Sequence, residues 1–206
     1  MKNKKTLNSY YIKKMCFFLF FFSSFAFANP VTNLEKKLEY ISSLKANFIQ
    51  TSDDSDGQSS TKGLFLLKKP GKFYWKTEKN VHQTIISDGK TLWIYDQDLE
   101  QVLIKTLKSN VGVGPVLLLN GNINSLEKNY NVKQSDNTYT LIPKEQTLYR
   151  RIQIIFDNKG LLLHMRFEDN TGIWTNFNFR NVQVNQPLSN KIFIFVPPPH
   201  IDIIRE

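Results

Sequence analysis

Apolar positions along the chain follow distinct spacings in successive regions. They are nearly continuous from 16 to 22, recur every three or four residues from 31 to 47, and alternate in short runs from 64 onward. In the second region Leu34, Leu38, Ile41 and Leu44 share one arc of a helical wheel, while Glu35, Lys36, Glu39 and Ser42 lie elsewhere, which predicts an amphipathic helix over 31–47. A stretch "ANFIQTS" and a polar loop "DDSDGQSSTKG" follow. Alternating runs then occupy 64–68, 72–77, 83–87, 91–95, 101–107, 130–134, 138–142, 150–157, 161–168, 172–184 and 191–196. Such a series predicts a mainly β (α+β) protein built on an antiparallel sheet of about 11 strands. Asp88-Gly89, between "QTIIS" and "KTLWIY", is the strongest hairpin signal, because a tight primed turn requires positive φ.

One segment breaks the alternation. In "SNVGVGPVLLLNGN", 109–122, Pro115 suits a first helical turn and Asn120-Gly121 a C-terminal cap, enclosing only Val116, Leu117, Leu118 and Leu119. So short a helix depends on apolar support from elsewhere. It reads equally as a piece loosely attached through Gly112 and Gly114 or as a plug permanently packed on the sheet.

The aromatic residues sharpen the picture. In "KKPGKFYW", 68–75, strand alternation puts Phe73 and Trp75 on one face and Tyr74 on the other, directly beside a lysine-rich turn. Trp93 with Tyr95, Phe177 with Phe179, and Phe193 with Phe195 repeat the spacing. A sheet lined in this way must bury its aromatic face although few helices are available to cover it. A curved sheet, partly closed in the manner of a barrel over an apolar hollow, meets that constraint; a fully packed core meets it equally well on pattern alone.

The first 28 residues change the charge argument. Lys2, Lys4, Lys5, Lys13 and Lys14 precede an apolar run too short to span a bilayer, and Ala26-Phe27-Ala28 has the small-x-small form of a cleavage site. The expectation is a signal peptide over 1–28 and one domain over 29–206. Of 27 basic residues, 5 leave with the leader, so the formal charge falls from +9 to +4, 22 basic residues against 18 acidic. These are interspersed, unlike the concentrated basic stripe of a nucleic-acid binder. Cys16, the sole cysteine, lies in the leader, which removes disulfides and thiol chemistry and leaves no lipidated cysteine at the start of the mature chain.

Candidate chemistry is sparse. His82, His164 and His200 lack metal-site spacing, and no metal is expected. Gly112-Val113-Gly114 lacks the third glycine of a dinucleotide fingerprint, Leu117 standing in its place. Asp54, Asp56 and Gly57 lack the closing carboxylate of a calcium loop, since Gly63 stands at the twelfth position. Glu168-Asp169 and Asp96 with Asp98 read as turn and surface acids. There is no G-x-S-x-G elbow. The expectation is a protein that is not an enzyme and uses no cofactor.

Several blocks resemble one family in the right order along most of the chain. Leu34, Leu38, Ser42-Ser43, Ala46, Phe48 and Gln50 resemble its opening motif; Lys69-Pro70-x-x-Phe73-x-Trp75, "SDGKTLWIYD" with Glu100-Gln101, Gly114-Pro115 with its leucines, and "FIFVPP" resemble later ones. The family is that of the LolA-type periplasmic carriers of outer-membrane lipoproteins. The resemblance implies a half-barrel with a helical lid and acylated lipoproteins as cargo. It further implies a LolCDE-type ABC transporter of the inner membrane as donor, a LolB-type outer-membrane receptor as acceptor, and a periplasmic monomer. It assigns Phe73, Trp75, Trp93, Phe177 and Phe193 to an acyl cavity, and Lys69, Leu34, Leu38, Pro115, Val116, Leu117 and Leu118 to the lid and its latch. Lys69 stands where the family commonly has Arg, and a lysine donates from one compact ammonium without the planar fork, which predicts a looser latch. Two other readings remain: a lipid- or lipopolysaccharide-sensing envelope protein of the same fold, and a secreted acyl hydrolase.

Overall fold

The computed structural model describes residues 29–54, 57–78, 81–107, 118–119 and 126–206. The expected signal peptide, 1–28, lies outside them, as do Pro115, Val116 and Leu117.

Helix α1, Pro30–Tyr40, starts where the Asn29 side chain accepts a hydrogen bond from Val31 N at 3.0 Å and proline occupies the first turn. It ends seven residues before the expected 47. Leu44, Ala46 and Phe48 are buried at every second position, so this stretch is strand rather than helix. The helical reading failed because Leu44 fits both spacings, at three residues from Ile41 and at two from Ala46.

Strand β1, Ser43–Asp54, pairs with β2, Gly57–Lys68, without a break from Ser43↔Lys68 to Asp54↔Gly57. The expected polar loop over 53–63 is thus largely the arms of a long hairpin. β3 (Lys72–Thr77), β4 (Gln83–Asp88), β5 (Thr91–Asp96) and β6 (Gln101–Thr106) follow as a meander close to the predicted bounds. After a short helix α2, Leu126–Asn129, come β7 (Tyr130–Ser135), β8 (Thr138–Pro143), β9 (Tyr149–Phe156), β10 (Leu162–Asp169) and β11 (Trp174–Val184).

The C-terminal region departs from expectation. In place of a strand over 191–196 there is a 3-10 helix, Asn190–Phe193, capped by Ser189, then unpaired chain through Pro197, Pro198 and Pro199, whose missing N–H groups bar ladder bonding. A strand that the pattern did not reveal, β12 (Asp202–Arg205), pairs parallel to β6.

All these strands form one sheet in the order β12-β6-β5-β4-β3-β2-β1-β11-β10-β9-β8-β7. Its edges, β12 and β7, do not meet, so it is unclosed. β6 lies near one edge and β7 forms the other; the chain joining them buries Leu119 and Leu126 in the same cluster as Leu34 and Leu38 of α1. α1, the helical residues 118–119 and α2 therefore lie on a single face of the sheet, its inner face, whereas the 3-10 helix does not join that cluster.

Candidate functional site

The inner face of β1–β3 and β11 carries a continuous set of rings. Trp75 stacks on Phe48 with centroids 3.9 Å apart, approaches Phe65 at 5.3 Å and meets Phe177 edge-on at 5.4 Å. Phe73 lies beside them, fully buried, while Trp75 and Phe177 keep 7% and 6% of their surface exposed. A glycine makes the stack possible. Gly63 pairs with Phe48 across β1 and β2, and a Cβ there would lie 1.9 Å from the Lys76 carbonyl oxygen and 2.6 Å from the Phe48 ring. Only a residue without a side chain lets that ring lie flat over the strand. Phe48, Phe65 and Gly63 were not assigned to the site from sequence, although a strand reading of Leu44-Ala46-Phe48 would have placed Phe48 on this face.

α1 covers the cluster with Leu34 and Leu38, both essentially without exposed surface. Leu118 and Leu119 are helical; Leu119 joins the cluster and Leu118 packs against it.

The lysine-rich turn between β2 and β3 fastens both sides of the sheet. Lys69 points inward, donating from Nζ to the Leu38 carbonyl at 2.6 Å in the last turn of α1, where unpaired carbonyls attract a cation. Burial pushes its ammonium below the usual lysine range, and the charge of Glu39 partly offsets this. Lys68 points outward, donating to Leu188 O at 2.7 Å and to Asn190 Oδ1 at 2.9 Å; Lys72 reaches the same Asn190 oxygen at 3.1 Å. Gly71, with φ of 73°, holds this turn against Gly89 in the β4–β5 turn, since a Cβ on Gly71 would stand 2.6 Å from Gly89 Cα.

Two residues expected in the cavity lie elsewhere. Directly paired residues on antiparallel strands share a face. Trp75 pairs with Ile85 and Ile85 with Ile94, whereas Trp93 pairs with Ile86 and Ile86 with Tyr74. Trp93 therefore stands on the outer face, where Phe195 lies 6.4 Å from it and 5.4 Å from Tyr95. Phe193 is buried against the outer side of β3 and β4 through the 3-10 helix, outside the inner cluster. The correction has a physical cause: alternation says which residues of one strand share a side, and the ladder register decides how sides match between strands.

Polar chemistry is peripheral to the cluster. His82 Nδ1 lies 2.9 Å from Asp98 Oδ1 in an exposed pair. Glu168 is buried against Arg150, with Arg151 Nε 3.4 Å from its other oxygen. Among the described residues no group of three His, Cys, Asp or Glu side chains is arranged to hold a metal ion. No helix among them is long and apolar enough to cross a membrane. The inner face offers aromatic and aliphatic surface, suited to burying apolar matter.

Comparison with known proteins identifies what shares this arrangement. The family model described as outer membrane lipoprotein carrier protein LolA matches residues 39–196. An outer-membrane lipoprotein carrier protein of Hahella chejuensis is 37% identical over 193 residues, covering 89% of this chain and 92% of its own. That of Chromohalobacter salexigens is 38% identical over 176 residues, covering 82% and 83% respectively. An uncharacterized conserved protein of Thermus thermophilus superimposes with a TM-score of 0.53 at 9% identity, over 85% of this chain and 97% of its own, which is a likeness of fold alone.

Proposed function

The chain belongs to the LolA family of outer-membrane lipoprotein carrier proteins, and on that premise we propose that it is a soluble periplasmic carrier. It takes acylated lipoproteins from a LolCDE-type inner-membrane transporter and hands them to a LolB-type outer-membrane receptor. The observation that carries the reading is the inner cluster of Phe48, Phe65, Phe73, Trp75 and Phe177 under a helix fastened by few polar bonds.

The physical case rests on magnitudes. Burying one methylene is worth about 0.8 kcal/mol, so acyl chains do not cross an aqueous gap unaided. A carrier that held them at full strength would not release them. Here the acyl chains displace Leu34 and Leu38 from the rings, and the burial that α1 loses offsets part of the burial the ligand gains. Affinity is thereby lowered to a level compatible with transfer, and the return of α1 assists release. Trp93 and Phe193 take no part, because Trp93 faces Phe195 of the C-terminal tail and Phe193 belongs to that tail.

The test is to express the protein with its leader in a periplasm, purify it and ask by mass spectrometry whether acylated lipoproteins accompany it. Wild type brings them; Phe73→Glu, and Trp75→Ala as a milder change at the partly exposed ring, do not. Equal recovery with folded Phe73→Glu and Trp75→Ala, or none with wild type, overturns the proposal.

A further inference from the structure

Beyond Lys69, the end of α1 is held at a second point. Asn185 follows β11 directly, with φ of 59°. Its Nδ2 donates to the Tyr40 carbonyl at 2.9 Å, and its Oδ1 accepts from Ser42 N at 2.8 Å and Ser42 Oγ at 2.9 Å. Its own N–H donates to Ser43 O at 2.8 Å. β1 lies between β2 and β11 in the sheet, so each neighbour sends one side chain to the terminal carbonyls of α1: Lys69 from beyond β2 to Leu38, and Asn185 from beyond β11 to Tyr40.

We infer that Asn185 is a second latch on α1, a positioning residue that sets how readily the helix leaves the aromatic cluster. The inference rests on the reading above, in which acyl chains displace α1. The two arms of its amide divide the work. Oδ1 anchors Ser42, where the chain turns from helix into β1, and so marks the pivot. Nδ2 holds the helix end itself. Lys69 supplies one bond to α1 where a guanidinium has several donors to offer, and Asn185 adds a further bond at the end of the same turn. A bare turn residue at this φ needs no amide, because glycine meets the backbone requirement.

Substitution separates the arms. Asn185→Gly keeps the left-handed backbone and removes every side-chain bond. Asn185→Asp retains the acceptor for Ser42, removes the donor to Tyr40 and sets an anionic oxygen near that carbonyl. The measurements are hydrogen exchange of the amides of α1, Ile41 and Ser42, and the stopped-flow entry rate of an anthroyloxy-labelled stearate. With Asn185→Gly, exchange at Leu38, Ile41 and Ser42 rises about tenfold and probe entry quickens by a similar factor. With Asn185→Asp, Ser42 stays protected while α1 exchanges faster and probe entry is intermediate. A residue serving the turn alone would leave glycine equal to wild type in both readouts, and that result overturns the inference. If wild type takes up no probe while exchange in α1 follows the stated order, the second latch stands and the acyl-carrier reading falls. If the probe enters and neither variant changes entry or exchange, the carrier reading stands and the latch falls.

Discussion

Trp75 and Trp93 stand two strands apart on opposite faces of one sheet, and each is covered in a different way. The buried cluster that holds Trp75 is completed by Leu34 and Leu38 of a helix whose backbone hydrogen bonds are internal, so its departure would strand no peptide groups. Its polar ties to the sheet are side-chain bonds, from Lys69 and Asn185 at one end and from Asn33 Nδ2 to Gln134 Oε1, at 3.0 Å, on another side. Trp93 and Tyr95 lie under the C-terminal tail, which has little regular structure but is tied at both ends. Ser43 Oγ donates to Gln186 O at 2.7 Å where it begins, and β12 joins the ladder with β6 where it finishes. Similar aromatic surfaces thus receive a cover tied by a few side-chain bonds on one side and a cover tied at both ends through backbone groups on the other. The nature of the cover, more than the number of rings, separates a site from a core.

The largest effect expected in testing this contrast is at Gly63. Gly63→Ala drives a methyl into the Lys76 carbonyl and the Phe48 ring, and should cost about 4 kcal/mol or more in chemical denaturation, with loss of the Phe48–Trp75 stack. Phe193→Ala comes next, at about 3–4 kcal/mol of global stability for a fully buried ring. Among molecules that remain folded, its affinity for an acyl probe should match wild type. Loss of affinity there would bring the tail into the site and dissolve the contrast.

Lys69→Met should act locally, raising exchange in α1 about fivefold to tenfold for one lost charge-assisted bond, with a small shift in melting temperature. Lys69→Arg should slow that exchange below wild type. An unchanged rate in the arginine variant would show that the latch is not limited by its donor count.

The smallest effect is a pH dependence on the outer face. His164 has its pKa lowered, first by burial, then by the charge of Arg166, with a hydrogen bond donated to the Asn176 side chain opposing. Between that lowered value and the ordinary value near 6.5, the unfolded chain binds more protons than the folded one. Stability therefore rises with pH through this window and declines as pH falls below about 6.5. His164→Asn should flatten the slope in urea titrations while leaving probe binding unchanged, since His164 and Met165 point to opposite sides of β10 and only Met165 joins the inner cluster.

Much of the meander was legible in the sequence because β3, β4 and β5 are short, alternate cleanly and are joined by turns such as Asp88-Gly89. The pairing of Phe73 with Trp75 on one face was equally legible. Other features were hidden. Leu44 satisfied two periods at once and masked the start of β1. Phe193 and Phe195 kept a strand's spacing in a segment that is a 3-10 helix followed by unpaired chain. The side on which Trp93 stands depends on register with β4, a long-range property that a single strand does not carry. Asn185 gave no signal as a latch because asparagine is common in turns, and its partners Tyr40 and Ser42 lie over 140 positions earlier.

The place of β1 also governs the order of assembly. It is the first strand to be synthesised, yet one of its two neighbours, β11, arrives far later: Leu44 pairs with Val184, 140 positions on. The hairpin with β2 and the meander to β6 can form as the chain emerges, while Phe48 must await Phe177. A protein whose final architecture shelters greasy matter therefore spends its own biogenesis with a greasy flank uncovered, and its slowest step should be the docking of β7–β11 onto β1.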